Sequence, residues 1–224
     1  SERLAKYHSN LNNDETSNRS VKRIKLANHE GFYEEIERKF EEYPIRELQP
    51  LKVTKKLLIL DLDYALFNPE KKMPRPHLYQ FLDKVGTYYN IGIWSAASRG
   101  WVHDVLSSWD LRPDGRAYRI GFYLDGSAMI PVEASKKIGQ ISVKPLALIW
   151  RRFTYFSPKN TIAVDVDRAH FLMNQQSGLE ILPFHPTDDK VDDELKLLCE
   201  YLTRIAKCDD FTTLDHKFWK RDES

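Results

Sequence analysis

Asp61 and Asp63 stand one residue apart, immediately beyond the apolar run Leu57-Leu58-Ile59-Leu60. Two carboxylates that close repel each other unless a cation or a proton relieves them. A divalent ion with oxygen ligands does so, and Mg²⁺ suits such a pair. The plainer role for the pair is to cap the turn that follows. Two further polar residues occupy similar places: Ser95 follows Ile91-Gly92-Ile93-Trp94, and Asp165 follows Thr161-Ile162-Ala163-Val164.

The elements that must position these residues are legible as patterns. Four consecutive apolar residues between turn signals read as a strand buried on both faces, as in a parallel sheet. A shorter run, Leu179-Glu180-Ile181-Leu182, ends at Pro183. Helical periodicity covers 77–89, 99–109, 145–153 and 189–207. Strands alternating with helices predict an α/β fold, a doubly wound parallel sheet with helices on both faces. Ligands of such sheets bind at the carboxyl ends of the strands, so Asp61, Asp63, Ser95 and Asp165 are expected in one crevice. Residues 116–132 read as a short β-hairpin insertion, and nothing in the chain offers a large cap.

Composition sets the outer bounds. The 224 residues carry 34 basic and 33 acidic side chains, with 42% hydrophobic residues and only 9 Gly and 11 Pro. That excludes a wholly disordered, collagen-like or coiled-coil chain. No apolar run reaches the length of a membrane span. The balance of charge gives no support to direct nucleic-acid binding. Cys199 and Cys208 lack zinc-site spacing and read as reduced thiols. The expected organisation is a disordered polar tail over 1–30, a docking helix and linker over 31–50, and one domain over 51–222. In the tail, six basic residues face four acidic ones, and Val21-Lys22-Arg23-Ile24-Lys25-Leu26 is similar to a short nuclear import signal. Phe32, Ile36 and Phe40 give 31–43 the stripe of an amphipathic helix. Arg75 reads as a structural residue, and Trp94, Trp101, Trp150 and Trp219 as packing aromatics. His77, His170 and His185 are scattered and suggest no metal trio. Asp188, Asp189 and 192–194 read as an acidic first helical turn.

Asp61-Leu62-Asp63-Tyr64-Ala65-Leu66 resembles the first motif of the haloacid-dehalogenase superfamily. The resemblance extends with few gaps from about residue 35 to 220, and it narrows to the FCP/SCP branch of phosphatases. Lys56 to Phe67, Arg75-Pro76-His77-Leu78, Ile93-Trp94-Ser95-Ala96, Val143-Lys144-Pro145-Leu146 and Phe171-Leu172-Met173-Asn174 are among the segments that carry it. It is nearest to the branch members that bear a ubiquitin-like domain, a domain this chain is expected to lack.

The resemblance implies a Mg²⁺-dependent protein serine/threonine phosphatase with an aspartyl-phosphate intermediate. Asp61 would be the nucleophile and Asp63 the general acid and base. Ser95 and Lys144 would bind the phosphoryl group, and Asp61, Asp63 and Asp165 would serve the metal. It also implies a phosphoprotein substrate, with RNA polymerase II or the proteasome as partners, no direct nucleic acid, no membrane and a monomeric chain in the nucleus, the cytoplasm being a second compartment.

Two departures qualify that expectation. Ala65 stands where the branch has Thr. More seriously, Asp165-Val166-Asp167 places Val166 at the metal-ligand position of the fourth motif. Asp167 is then the candidate substitute ligand, although in an extended segment it would point away from the site. A weakened phosphatase and an inactive phosphopeptide-binding module both remain open at this point.

Overall fold

Five strands form one parallel sheet in the order β5-β4-β1-β8-β9. They are β1 (Lys56–Leu60), β4 (Tyr89–Trp94), β5 (Ile120–Leu124), β8 (Thr161–Asp165) and β9 (Gly178–Glu180). The chain builds outward from β1 through β4 to β5, then crosses back to add β8 and β9 on the other side. That reversal at β1 is the doubly wound topology expected from the alternating pattern. The computed structural model describes residues 30–109, 118–135, 139–186 and 191–220. The polar tail, its basic cluster at 21–26, and Asp188 and Asp189 lie outside the described residues.

Strand alternation divides the core into two. Leu58, Leu60, Ile91, Ile93, Ile162 and Val164 face one apolar cluster with Leu82, Val105, Leu198 and Leu202. Leu57, Ile59, Trp94 and Ala163 face the other, with Ile36, Ile149 and Phe153. Helices α2 (Leu78–Gly86), α3 (Arg99–Ser108) and α5 (Glu194–Ile205) contribute to the first face; α1 (Glu30–Glu42) and α4 (Ala147–Arg152) contribute to the second. Strands covered on both sides need no polar alternation, which is why their sequences read as unbroken apolar runs. Each such fully buried Leu or Ile stabilises the fold by roughly 1.5–3 kcal/mol.

Helix α1 buries Phe32 and Ile36 against the second face. Its attachment is also polar: Lys39 Nζ donates to the Ser127 carbonyl at 2.8 Å, and Arg151 pairs with Glu37 and lies over the Phe40 ring.

One sequence assignment changes. Among the described residues, 118–132 do not form a hairpin. Their centre, Ile120–Leu124, is the parallel edge strand β5, and the hairpin comes later, as β6 (Ile130–Ser135) against β7 (Gly139–Val143). β5 is buried like the central strands because residues before β1 cover its edge. Leu48 N donates to the Gly121 carbonyl at 2.7 Å, and a Cβ on Gly121 would meet the Leu51 side chain at 2.2 Å. A second, very short hairpin, β2 (Phe67–Asn68) with β3 (Met73–Pro74), follows the Asp61–Asp63 turn and was not legible as a strand pair.

Candidate active site

β1 ends at Leu60, so Asp61 begins the loop at the carboxyl edge of the sheet. Its amide still donates to the Val164 carbonyl of β8 at 2.9 Å, which fixes where its side chain emerges. The chain then turns sharply: Tyr64 has a φ of 59°, in the left-handed region that a non-glycine residue enters at a cost. Three contacts hold it there. Tyr64 N donates to Phe67 O at 2.7 Å, Phe184 N donates to Tyr64 O at 2.7 Å, and the Tyr64 ring lies 5.2 Å from that of His185.

The structure brings Asp61, Lys144 and Asp165 together. Lys144 lies just past β7, and its ammonium donates to Asp61 Oδ1 at 2.7 Å, Asp165 Oδ2 at 2.6 Å and the Trp94 carbonyl at 2.7 Å. All three side chains are buried. Burial works against the charge of Lys144, but the two carboxylates outweigh it and hold the ammonium above its usual pKa. Burial alone would also raise Asp165; Lys144 and the His170 ring outweigh it and keep this carboxyl below the usual range. Asp61 goes the other way. Burial pushes it up to about 7, Lys144 opposes that, and the neighbouring Asp165 adds to it. No hydrogen bond from a described residue reaches Asp61 Oδ2.

Asp63 is held at both oxygens. Ser95 Oγ donates to Oδ2 at 3.1 Å, and Trp101 Nε1 donates to Oδ1 at 2.8 Å. Ser95 in turn accepts from Ala97 N at 2.9 Å. The loop after β4 is pressed against the turn at Asp125: Gly126 N donates to Ala97 O at 2.8 Å, and a Cβ on Gly126 would meet Ala96 O at 2.3 Å. A cavity of about 600 Å³ opens along this loop, lined by Tyr43, Ala97, Ser98, Arg99, Asp125 and Ser127 among others. It lies between this loop and the end of α1, and neither Asp61 nor Lys144 is among its lining residues.

Val166 follows β8 and packs its side chain, partly buried, against the first apolar cluster. Asp167 caps the turn after it, accepting from Ala169 N at 2.8 Å, with its side chain 56% exposed. Asp165 is fully engaged: Oδ2 takes Lys144 and His170 Nδ1 (2.8 Å), and Oδ1 takes Asp167 N at 2.9 Å. Among the described residues, no group of three or more His, Cys, Asp or Glu side chains is arranged to hold a metal ion. The donor chemistry nevertheless fits a divalent cation at two positions. Asp61 and Asp165 share the Lys144 ammonium, while Asp63 is held by Ser95 and Trp101, and carboxylate oxygens of this kind suit a hard cation. Asp61 and Asp63 would hold it; the third position is apolar.

Two residues enter the site that sequence reasoning placed elsewhere. Trp101 is more than a packing aromatic, because its indole N–H orients Asp63. His170 is not stray, because its ring supports Asp165 and its carbonyl accepts Lys144 N at 3.0 Å. Neither carries a local signal, since each acts through tertiary contact. Arg75, buried, grips Asp192 with two hydrogen bonds of 2.9 Å and also reaches the Ala65 and Leu182 carbonyls. Asp192 thus serves an ion pair as well as the start of α5, because its Oδ1 also accepts from Glu194 N at 3.2 Å. α5 itself starts only at Glu194.

The sequence of residues 56–212 matches the model of the NLI interacting factor-like phosphatase family. Ubiquitin-like domain-containing CTD phosphatase 1 of Rattus norvegicus and of Homo sapiens are each 40% identical over 208 residues, covering 88% of this chain and 64% of the relative. The Drosophila melanogaster protein of the same name is 38% identical over 194 residues, covering 83% and 60%. The chain thus spans about two thirds or less of the length of these relatives. Among solved structures, that of Fcp1, an essential RNA polymerase II CTD phosphatase, aligns at a TM-score of 0.47 and 12% identity, over 79% of this chain and 65% of that one.

Proposed function

The chain belongs to the NLI interacting factor-like phosphatase family, and we propose that it removes phosphate from phosphoserine or phosphothreonine in protein substrates through an aspartyl-phosphate on Asp61. The observation that carries this reading is the asymmetric holding of Asp61. Lys144 fixes Oδ1, which leaves Oδ2 free to attack phosphorus in line. The Ser or Thr oxygen leaves as the new Asp61–phosphorus bond forms, and Asp63 supplies its proton. Asp63 then takes a proton from water, whose oxygen attacks the aspartyl-phosphate and releases inorganic phosphate. Ser95 and Trp101 orient Asp63 for both steps. The Lys144 charge counters that growing on Asp61 and the phosphoryl oxygens. Mg²⁺, which Asp61 and Asp63 would hold, adds positive charge against the phosphoryl oxygens when bound.

The names of the relatives support a CTD-like phosphosite as the substrate class; the sequence resemblance adds RNA polymerase II or proteasome proteins as partners and the nucleus as the compartment to this proposal. The open crevice, without a large cap among the described residues, suits a protein chain. The test is turnover of p-nitrophenyl phosphate and of a phosphoserine peptide with added Mg²⁺. Hydrolysis that Asp61→Asn abolishes is the expected result, and no turnover at any Mg²⁺ or Mn²⁺ concentration overturns it. Val166 favours a second reading, a module that binds phosphopeptides without hydrolysing them. Phosphate-dependent peptide binding with no turnover is its signature.

A further inference from the structure

Ser95 meets Asp63 from a loop that is held from behind. Ser95 itself is fully buried. Its amide donates to the Leu124 carbonyl at 3.1 Å, and its hydroxyl accepts from Ala97 N at 2.9 Å. Gly126 N then donates to the Ala97 carbonyl at 2.8 Å. The 95–97 loop therefore takes its place from the turn at 124–127.

That turn is fixed by one buried carboxylate. Asp125 Oδ1 accepts from Ser127 N at 2.8 Å and from Ser127 Oγ at 2.5 Å. Oδ2 accepts from the Tyr43 hydroxyl at 2.8 Å, and Asp125 N donates back to that hydroxyl at 3.3 Å. Arg99 Nε stands 3.8 Å from the same Oδ2, a weaker pairing on an exposed side chain. Tyr43 is the residue after α1, and Lys39 of α1 adds its bond to the Ser127 carbonyl. Burial, helped by the Asp125 carboxylate, pushes the Tyr43 hydroxyl up to about 12, so it keeps the proton it donates. Hydrogen bonds thus link Tyr43 to Asp63 by way of Asp125, Ala97 and Ser95. Tyr43 precedes residues 56–212, which match the family model.

We infer that Tyr43 and Asp125 are positioning residues for Asp63. They lock the 124–127 turn against the end of α1, and the turn holds the 95–97 loop where Ser95 can fix the Asp63 carboxyl. A group that must hand a proton to a leaving oxygen has to sit within about 0.5 Å of its productive place. The inference rests on the reading of Asp63 as the general acid of a phosphatase, and the experiment separates the two.

The test compares two substrates by kcat/KM, which covers the steps up to loss of the leaving group, on the full chain with Mg²⁺. The serine oxygen of a phosphoserine peptide needs the Asp63 proton to leave; p-nitrophenolate, a weak base, leaves without one. Tyr43→Phe and Asp125→Asn should each lower kcat/KM on the peptide about tenfold, and on p-nitrophenyl phosphate less than about twofold. In a Ser95→Ala background, Tyr43→Phe should cost the peptide reaction nothing more, because the link it acts through is gone. Tyr43→Phe, which keeps the ring, carries the test if Asp125→Asn does not fold. Equal losses on both substrates, no loss on the peptide, or the full loss repeated in the Ser95→Ala background overturns the inference while leaving the phosphatase reading in place. A parent chain that turns over neither substrate overturns that reading, and the inference with it.

Discussion

Two buried polar regions of this molecule handle the same problem in opposite ways. At the carboxyl edge of the sheet, Lys144 and Asp165 hold each other charged, while Asp61 shares the same ammonium but is pushed up to about 7 by burial. Under α5, Tyr201 and His216 share a 2.5 Å hydrogen bond, and burial holds the imidazole down at about 4, against a slight upward pull from Asp215. His216 Nε2 has no hydrogen-bond partner among the described residues. A buried ionisable group must be either paired or discharged. Pairing fixes a reactive carboxylate in place, which suits chemistry. Discharge leaves a packed ring whose cost returns on acidification.

The comparison can be broken first at the nucleophile. Asp61→Asn should keep the fold but cost about 10⁴-fold or more in turnover of a phosphoserine peptide. Retained turnover would mean that the charge serves only packing. Lys144→Met comes next. It leaves two buried carboxylates facing each other and should destabilise the fold by about 3–5 kcal/mol in urea denaturation. The triple change with Asp61→Asn and Asp165→Asn should recover much of that loss. A Lys144→Met protein as stable as the parent would remove the distinction between the two regions.

The discharged region predicts a pH effect of definite sign. The His216 pKa is about 4 when folded against 6.5 for the free side chain, so the unfolded chain takes up this proton first. This contribution to stability is fully present above pH 6.5 and is lost as pH falls towards 4, by about 3 kcal/mol in all. His216→Gln should flatten the denaturation curve in that window; an unchanged slope would refute the assignment. The smallest effect sharpens the paired region. Trp101→Phe keeps the ring but removes the hydrogen bond to Asp63. It should lower kcat roughly tenfold, about 1.5 kcal/mol, with KM unchanged. A fall in KM alone, or no change in kcat, would confine Trp101 to packing.

The legible parts of the molecule were those written locally. Strands buried on both faces announce themselves as apolar runs, and the polar residue that ends each run marks the edge of the crevice. Hence 57–60, 91–94 and 161–164 were readable as strands, and Asp61, Ser95 and Asp165 as their terminal groups. Val166 could be identified as the apolar residue in the fourth motif from the resemblance alone.

What failed were choices made by distant contact. Ile120–Leu124 became an edge strand because Leu48 and Leu51 cover it, and nothing within its own five residues distinguishes that from one arm of a hairpin. The sequence by itself determined the alternation of strands and helices and the Asp-x-Asp turn at the end of β1. Only the tertiary structure decided that Lys144, 83 residues from Asp61, spends all three of its donors inside the cluster. The same holds for Trp101 and His170, which orient Asp63 and Asp165. The physical reason is the reach of each force. Apolar periodicity is set by which face of its own element a side chain occupies, whereas a buried charge is satisfied by whatever the fold brings within about 3 Å of it.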